Sequence, residues 1–290
     1  PANMDSDRVL LEKSSELAAM VKNPVERAAW LNLSGNYNWF SGNHDSAMVN
    51  YKITYAIDHP DVLERRAAAA INIGALYNRK GIADSIRHYL NEAIRMFDLL
   101  GDEKGHSRAN YSLGIFYSNR GNYELALRHY LVSLDHQLAE KDTFALIYSY
   151  NALGNLYARM KDRTETALEY FHKGIELNRA HPVAPMLASI YSNISFIYLS
   201  RLKDYDKAIE YARLGIESKM PNEPAGNLFG LYINAAEAYR LKGNLPMARE
   251  FLDKAMELES LSIQAINLAD ARLSYGDYFK DVKDYQQARL

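Results

Sequence analysis

The chain has 290 residues, 48% of them hydrophobic and 24% charged, a composition typical of a folded protein with enough apolar side chains for a large core. Lysine and arginine total 34 against 36 acidic residues, so the basic excess that neutralises phosphates is missing and nucleic acid is not an expected partner. The absence of cysteine excludes disulfides, thiol nucleophiles and cysteine-ligated zinc.

The sequence contains no run of 18 apolar residues, so membrane contact by this segment is not expected. It starts PANMD, without the charged and apolar regions of a signal peptide. Because the first residue is not methionine, removal of an earlier signal remains open. Both the cytoplasm and the periplasm are therefore compatible with the sequence.

The first predicted element is an amphipathic helix over residues 5–22, DSDRVLLEKSSELAAMVK. We predict that residues 1–27 form an N-terminal cap on the array of repeats that follows, because the end of such an array needs a covered face.

From residue 28 to residue 290, one phrase recurs about seven times: a small residue, an aromatic, a polar turn and an aromatic-rich helix. In chain order the copies are LSGNYNWFSGNHDSAMVNY (33–51), IGALYNRKG (73–81), LGIFYSNRGNYELALRHY (113–130), LGNLYARMKD (153–162), ISFIYLSRLKDYDKAIEY (194–211), AAEAYRLKGNLPMAREFL (235–252) and YGDYFKDVKDYQQA (275–288). A small or apolar residue of each copy falls at Ala47, Ile86, Ala126, Ala167, Ala208, Ala248 and Ala288, in steps of 39 to 41 residues. This period predicts stacked repeats.

Each repeat is predicted to be a pair of antiparallel helices, here called its first and second helix. In the third copy, small and apolar residues recur every three to four positions before and after Gly121-Asn122, the spacing of amphipathic helices. Asn122 and its equivalents are predicted to cap the second helices; they are Asn43, Asp204, Asn244 and Asp284. Since strand-like alternation is absent, the sequence predicts an all-α fold.

The pattern resembles the tetratricopeptide repeat (TPR) family, in the variant of about forty residues found in Rap-type regulators, kinesin light chains and Leu-Gly-Asn repeat proteins. The stretch LLGDEKGHSRANYSLGIFY (99–117) is especially similar. The resemblance implies a right-handed superhelical solenoid over residues 28–290, with the last repeat incomplete. It also implies that the tyrosines at one repeat position lie buried in the core; these are Tyr77, Tyr117, Tyr157, Tyr198 and Tyr239.

Three departures from the family pattern are expected to change local geometry only. Asn38 replaces the tyrosine of the first copy, and Ile86 replaces the alanine of the second. The fourth and fifth copies each carry one extra turn residue, at Arg163-Thr164 and near Lys203.

Motifs for phosphate-binding loops, dinucleotide sites, metalloproteases and serine hydrolases are absent from the sequence. The chain is therefore predicted not to be an enzyme and to need no cofactor. His129 and His136, and the pair His88 and Glu92, share helices at suggestive spacings, but a third metal ligand is missing. We predict an exposed helical face there rather than a metal site.

The family resemblance places the first helix of each repeat on the concave side of the array, where several asparagines recur. The candidate ligand-binding residues are Asn36, Asn72, Asn151, Asn155, Asn193 and Asn234, joined by Arg108, Tyr111 and Arg159. An amide offers both donors and an acceptor, so a row of amides suits an extended peptide backbone, as the resemblance to Rap-type regulators implies. The arginines would add charge-assisted contacts and the tyrosine an aromatic wall. Alternatively, the asparagines satisfy helix ends or face water.

The leading functional hypothesis is a module that binds a protein or an extended peptide, as the sensory part of a bacterial regulator of signalling or transcription. The alternatives are a structural scaffold or assembly factor, a glycan-binding protein and an enzyme. Two tryptophans, both in the first repeat, give little support to a glycan site. The seventh copy stops two residues after Ala288, so we expect the natural protein to continue into a coiled segment and an output domain.

Overall fold

The computed structural model describes residues 18, 20–182, 186–218, 225–258, 273–274 and 276–282. Most of the predicted N-terminal cap, Asp284 and Ala288 lie outside these residues. The chain divides into two compact units, Pro1–Lys141 and Asp142–Leu290.

The first unit is a series of three helix pairs. Its elements are α1 (Pro24–Phe40), α2 (His44–Ala56), a 3-10 turn (Pro60–Val62), α3 (Leu63–Lys80), α4 (Ala83–Leu100), α5 (Glu103–Asn119) and α6 (Tyr123–Glu140). Each first helix packs on the second helix that follows it after a short turn, and each pair packs on the next pair.

The second unit repeats this arrangement. Its elements are α7 (Thr143–Arg159), α8 (Thr164–Ala180), α9 (Leu187–Ile197), a π-helical turn (Tyr198–Leu202), α10 (Tyr205–Glu217), α11 (Ala225–Leu241) and α12 (Leu245–Glu257). Throughout the described ranges the regular elements are helices, which confirms the predicted all-α fold.

The predicted caps form at most of the turns. The side chain of Asn122 accepts from the Leu125 amide at 3.3 Å, and Asp204 and Asn244 do the same for their helices. Asn43 makes no such side-chain bond, so its predicted role is wrong. Gly121, in the turn after α5, has a φ of 75°, a left-handed conformation that glycine adopts without strain.

The two helices of each repeat approach closely because small residues face large ones. Five of the predicted alanines, and Ile86 in the second repeat, are at most 1% exposed. On the facing helix, a Cβ on Gly154 would lie 2.6 Å from a Phe171 ring carbon. The recurring glycines and alanines are therefore the contact surface of each helix pair.

The five repeated tyrosines lie between the two helices of their repeats, but they are half-buried rather than core residues, which corrects the expectation. Each stacks on a ring of the second helix, and the pairs are Tyr77–Tyr89, Tyr117–His129, Tyr157–Tyr170, Tyr198–Tyr211 and Tyr239–Phe251. One face of each ring pair is thus left near the surface.

The extra turn residues change the backbone locally, as predicted. In the fifth repeat, the π-helical turn after α9 takes up the added residue, and Lys203 follows in the left-handed region with a φ of 56°. In the turn of the fourth repeat, Asp162 also lies in the left-handed region, with a φ of 57°. Both second helices still begin at equivalent positions.

Candidate functional site

The first helices α7 and α9 of the second unit lie side by side. The Asn193 amide donates to Asn151 Oδ1 at 3.1 Å, and the Arg201 guanidinium donates to the Met160 carbonyl at 3.5 Å. These bonds join residues 42 and 41 positions apart, so the two helices run parallel with equivalent residues opposite each other.

One face of α7 carries the predicted site residues of this helix. Asn151 and Asn155 are half-buried and Arg159 is exposed, at spacings of four that place them in one row. The helix is anchored in the core by Leu153 and Leu156, which are both 0% exposed. The helical period therefore fixes which side chains reach the surface of the unit.

The Asn151–Asn193 pair has hydrogen-bonding capacity left over. Asn193 uses its amide nitrogen and Asn151 its carbonyl oxygen in the bond between them. Within the described residues, the Asn193 oxygen and the Asn151 nitrogen are bonded to no other group. The pair therefore presents one acceptor and one donor side by side, which is what a peptide unit needs.

Asn234, on α11, has a different environment from the Asn151–Asn193 pair. It is 7% exposed and its amide donates to the Ser192 carbonyl on α9 at 3.0 Å. This predicted site residue therefore holds α9 and α11 together.

The predicted residues of the first unit fall into two groups. The Asn72 amide lies 3.5 Å from Asn36 Oδ1, which also accepts from the Tyr51 hydroxyl at 2.8 Å. Arg108 is exposed on α5, and the half-buried Tyr111 packs against the Tyr130 ring at 5.6 Å between centroids. The amides again link neighbouring first helices.

Sequence reasoning missed an aromatic residue beside the amide pair. Phe196 lies one helical turn after Asn193 on α9 and is 55% exposed. Its signal in the sequence is an aromatic residue immediately after the small residue of the repeat, where the other copies have Asn36, Ala75, Ile115, Asn155, Glu237 and Asp277.

The histidines give no support to a metal site. Among the described residues there is no group of three or more histidine or acidic side chains placed to hold an ion. His129 is not on an exposed face as predicted, because its ring stacks on Tyr117 and its Nδ1 lies 2.9 Å from Asn110 Oδ1. Burial, together with the nearby Arg128, lowers the pKa of His129.

A family model described as Tetratricopeptide repeat matches residues 147–181, 188–219 and 229–260. These three segments are tetratricopeptide repeats. A TPR relative, Tetratricopeptide repeat protein 29 of Trypanosoma brucei brucei (strain 927/4 GUTat10.1), is 26% identical over 121 residues. That match covers 41% of this chain and 25% of the relative, so it spans a quarter of the relative's length.

Solved structures share the TPR arrangement at low sequence identity. A Rap protein complexed with competence and sporulation factor has a TM-score of 0.67 and 19% identity, covering 95% of this chain and 76% of that one. NprR in complex with its cognate peptide NprX has a TM-score of 0.66 and 17% identity, covering 99% and 83%. These likenesses show the fold, an all-α array of helix pairs. Within the described ranges, its helices lack the combined length and apolarity needed to span a bilayer.

Proposed function

We propose that this chain is a non-enzymatic TPR module that binds an extended peptide, or an extended segment of a protein partner, on the shared face of α7 and α9. The observation that carries this function is the Asn151–Asn193 pair, whose remaining donor and acceptor match the two polar groups of a peptide unit. Asn155 lies one turn further along α7 on the same face.

The structural neighbours support the same class of ligand. The Rap protein is complexed with competence and sporulation factor, and NprR with its cognate peptide. By analogy, the TPR module would be the sensory or regulatory part of a longer signalling protein, with peptide binding as its input.

A scaffold role is the second candidate, and one observation in the first unit favours it. Leu33, Tyr37 and Phe40 form an apolar stripe along α1 and are 70%, 72% and 87% exposed. At the position equivalent to Tyr37, Leu76 is 1% and Phe116 is 3% exposed, because a preceding helix covers each of them. Among the described residues, an exposed apolar stripe of this kind suits a broad protein interface.

The peptide function is tested by selection from a random peptide library, followed by fluorescence anisotropy with the enriched peptides. We expect Asn151→Ala and Asn155→Ala each to weaken binding by about tenfold, since each removes a hydrogen bond to the main chain. Asn91→Ala, on the exposed side of α4, is the control and should bind as the parent does. Failure to enrich any peptide would reject the function.

A further inference from the structure

The apolar stripe of α1 lies on the side of this helix that faces a preceding repeat. Leu33, Tyr37 and Phe40 are 70%, 72% and 87% exposed. At the position of Tyr37, the third repeat has Phe116, which is 3% exposed and lies in one buried cluster with Leu90 of α4. The preceding second helix therefore covers this position in the array, and for α1 the chain that precedes it is the segment placed to do so.

The turn into α1 and the turn into α5 are built alike, which fixes the register of the segments before them. Asn23 and Asp102 each accept a hydrogen bond from the amide three residues later, at 3.2 Å and 2.9 Å. These two caps are 79 residues apart, and so are Gly35 and Gly114, the small residues of the two first helices. Each residue before α1 can therefore be compared with the α4 residue that lies 79 positions after it.

Two described residues of this segment, Ala18 and Met20, have the burial that the register requires. Ala18 is 0% exposed and corresponds to Phe97, which is 2% exposed. Met20 is 75% exposed and corresponds to Leu99, which is 79% exposed. The chain entering α1 therefore buries the same side as the end of α4.

The rest of the segment continues the pattern of α4 in its sequence. Leu11 and Leu17 correspond to the buried Leu90 and Met96. Charged residues fall at the exposed positions: Arg8, Glu12 and Glu16 correspond to Arg87, Asn91 and Arg95. The 18 residues of α4 map onto residues 4–21, and a helix of that length spans about 27 Å, enough to reach along α1.

One facing pair is polar in the segment and α1 where it is apolar in α4 and α5. Ile86 and Phe116 lie in the same buried cluster, and the residues that correspond to them are Asp7 and Tyr37. The exchange adds a carboxylate to one helix and a hydroxyl to the other. A tyrosine hydroxyl donates and a carboxylate accepts, so a hydrogen bond between them satisfies both groups in a buried contact.

We propose that residues 4–21 form a helix that packs on α1 as α4 packs on α5, and that Asp7 accepts a hydrogen bond from the Tyr37 hydroxyl. Phe40 stays outside this contact, because Asn119 at the same position of α5 is exposed. The chain's own segment thus covers the centre of the apolar stripe. A protein partner that docks on Tyr37, as the scaffold function requires, must first displace residues 4–21.

Thiol labelling tests the cover, because the chain contains no cysteine and each variant therefore carries a single thiol. In the full chain, Tyr37→Cys and Phe40→Cys are each reacted with a maleimide, and the reaction is followed by intact mass. We expect the thiol at position 37 to react at least about tenfold more slowly than the thiol at position 40, since a packed helix must open before the reagent reaches it.

A matched pair of substitutions in the segment assigns the protection to residues 4–21. Leu11→Asp places a charge at the buried side of the segment and should raise the labelling rate at position 37 to that at position 40. Ala19→Asp adds the same charge at the position that corresponds to Asp98, which is exposed on α4, and should leave the protection in place.

Disulfide formation tests the register and does not depend on the folding of Leu11→Asp. Asp7→Cys combined with Tyr37→Cys should form an intramolecular disulfide under mild oxidation, since residues whose Cα atoms lie within about 7 Å can be bridged. Ser6→Cys combined with Tyr37→Cys should not, because consecutive residues of a helix point about 100° apart.

Three outcomes would overturn the proposal. Equal labelling rates at positions 37 and 40 would mean that the stripe is open to a partner. Slow labelling that Leu11→Asp does not change would mean that another part of the chain covers Tyr37. Disulfide-linked dimers in place of the intramolecular bond would mean that a second copy of the chain packs on the stripe.

Discussion

At the scale of single residues, two asparagines predicted to bind ligand differ in what they contact. Asn234 is 7% exposed and bonded to the Ser192 carbonyl, whereas Asn155 is half-buried and bonded to no described residue. Asn234→Ala should therefore lower the free energy of unfolding by about 1 kcal/mol, the worth of one buried hydrogen bond. Asn155→Ala should leave it nearly unchanged.

Urea denaturation of the two asparagine variants measures this difference. A loss of the same size in both would contradict the assigned contacts. If the two variants differ in stability, weaker peptide binding by Asn155→Ala can be assigned to the loss of a contact with the peptide. Weaker binding by Asn234→Ala would also include the effect of an altered α9–α11 contact.

The candidate site could be predicted from the sequence only in part, and the asparagines show why. The family resemblance predicted that Asn151 and Asn193 lie on the same side of two first helices, and the structure brings their side chains together. That the two amides bond to each other depends on the register of α7 against α9, and single-helix periodicity does not contain this information. Phe196 was missed because it is an apolar residue in a helix whose other apolar residues, such as Ile194, are buried.

At the scale of the helix pair, one of the stacked ring pairs contains a histidine and is expected to make stability depend on pH. Four of the five ring pairs join a tyrosine to tyrosine or phenylalanine, but in the third repeat Tyr117 of α5 stacks on His129 of α6 at 5.4 Å. Burial lowers the pKa of His129, with Arg128 acting in the same direction. The unfolded chain therefore binds this proton more readily than the folded chain does.

The sign of the pH effect follows from that difference. Above the ordinary histidine pKa of about 6.5, His129 is neutral in both states and contributes no pH dependence. As the pH falls below about 6.5 toward the lowered pKa, protonation favours the unfolded chain and stability decreases. We expect His129→Tyr, which installs the residue found at Tyr89 and Tyr170, to reduce the loss of unfolding free energy between pH 7.5 and pH 5.5.

The comparison uses urea titrations of the parent and the variant at both pH values. His88→Tyr, at an exposed position on α4, is the control and should keep the parental pH dependence. If the pH dependence of His129→Tyr equals that of the parent, protonation of His129 does not contribute to it.

The helices could be predicted from the sequence because small residues, capping residues and turns recur with the same period of about forty residues. The glycines and alanines fix where two helices touch, and side chains such as Asn122 fix where a helix starts. The degree of burial of the tyrosines could not be predicted, because it depends on the ring that stacks on each of them, such as Tyr170 on Tyr157. The π-helical turn before Lys203 was visible as an extra residue but not as a backbone conformation.

At the scale of the whole chain, the described buried residues form clusters between neighbouring helices within each unit. In the first unit, Leu90 and Phe97 of α4 pack with Leu113 of α5, and in the second, Phe171 of α8 packs with residues of α9 and α11. A repeat is stabilised mainly by its neighbours in such an array. Damage to one pair is therefore expected to remain local.

Gly74→Ala tests this locality. The added Cβ would lie 2.9 Å from Leu90 Cδ2, so the Leu90 side chain or the two helices must shift, at a cost of about 1–3 kcal/mol for overpacking. We expect faster amide hydrogen exchange in α2–α5, measured by mass spectrometry, and nearly parental protection in α9–α12. Gly154→Ala, which meets the Phe171 ring, should give the reciprocal pattern in the second unit. Because opening of a few repeats exposes only their own amides, a uniform increase in exchange along the chain would show that the array unfolds as one cooperative body instead.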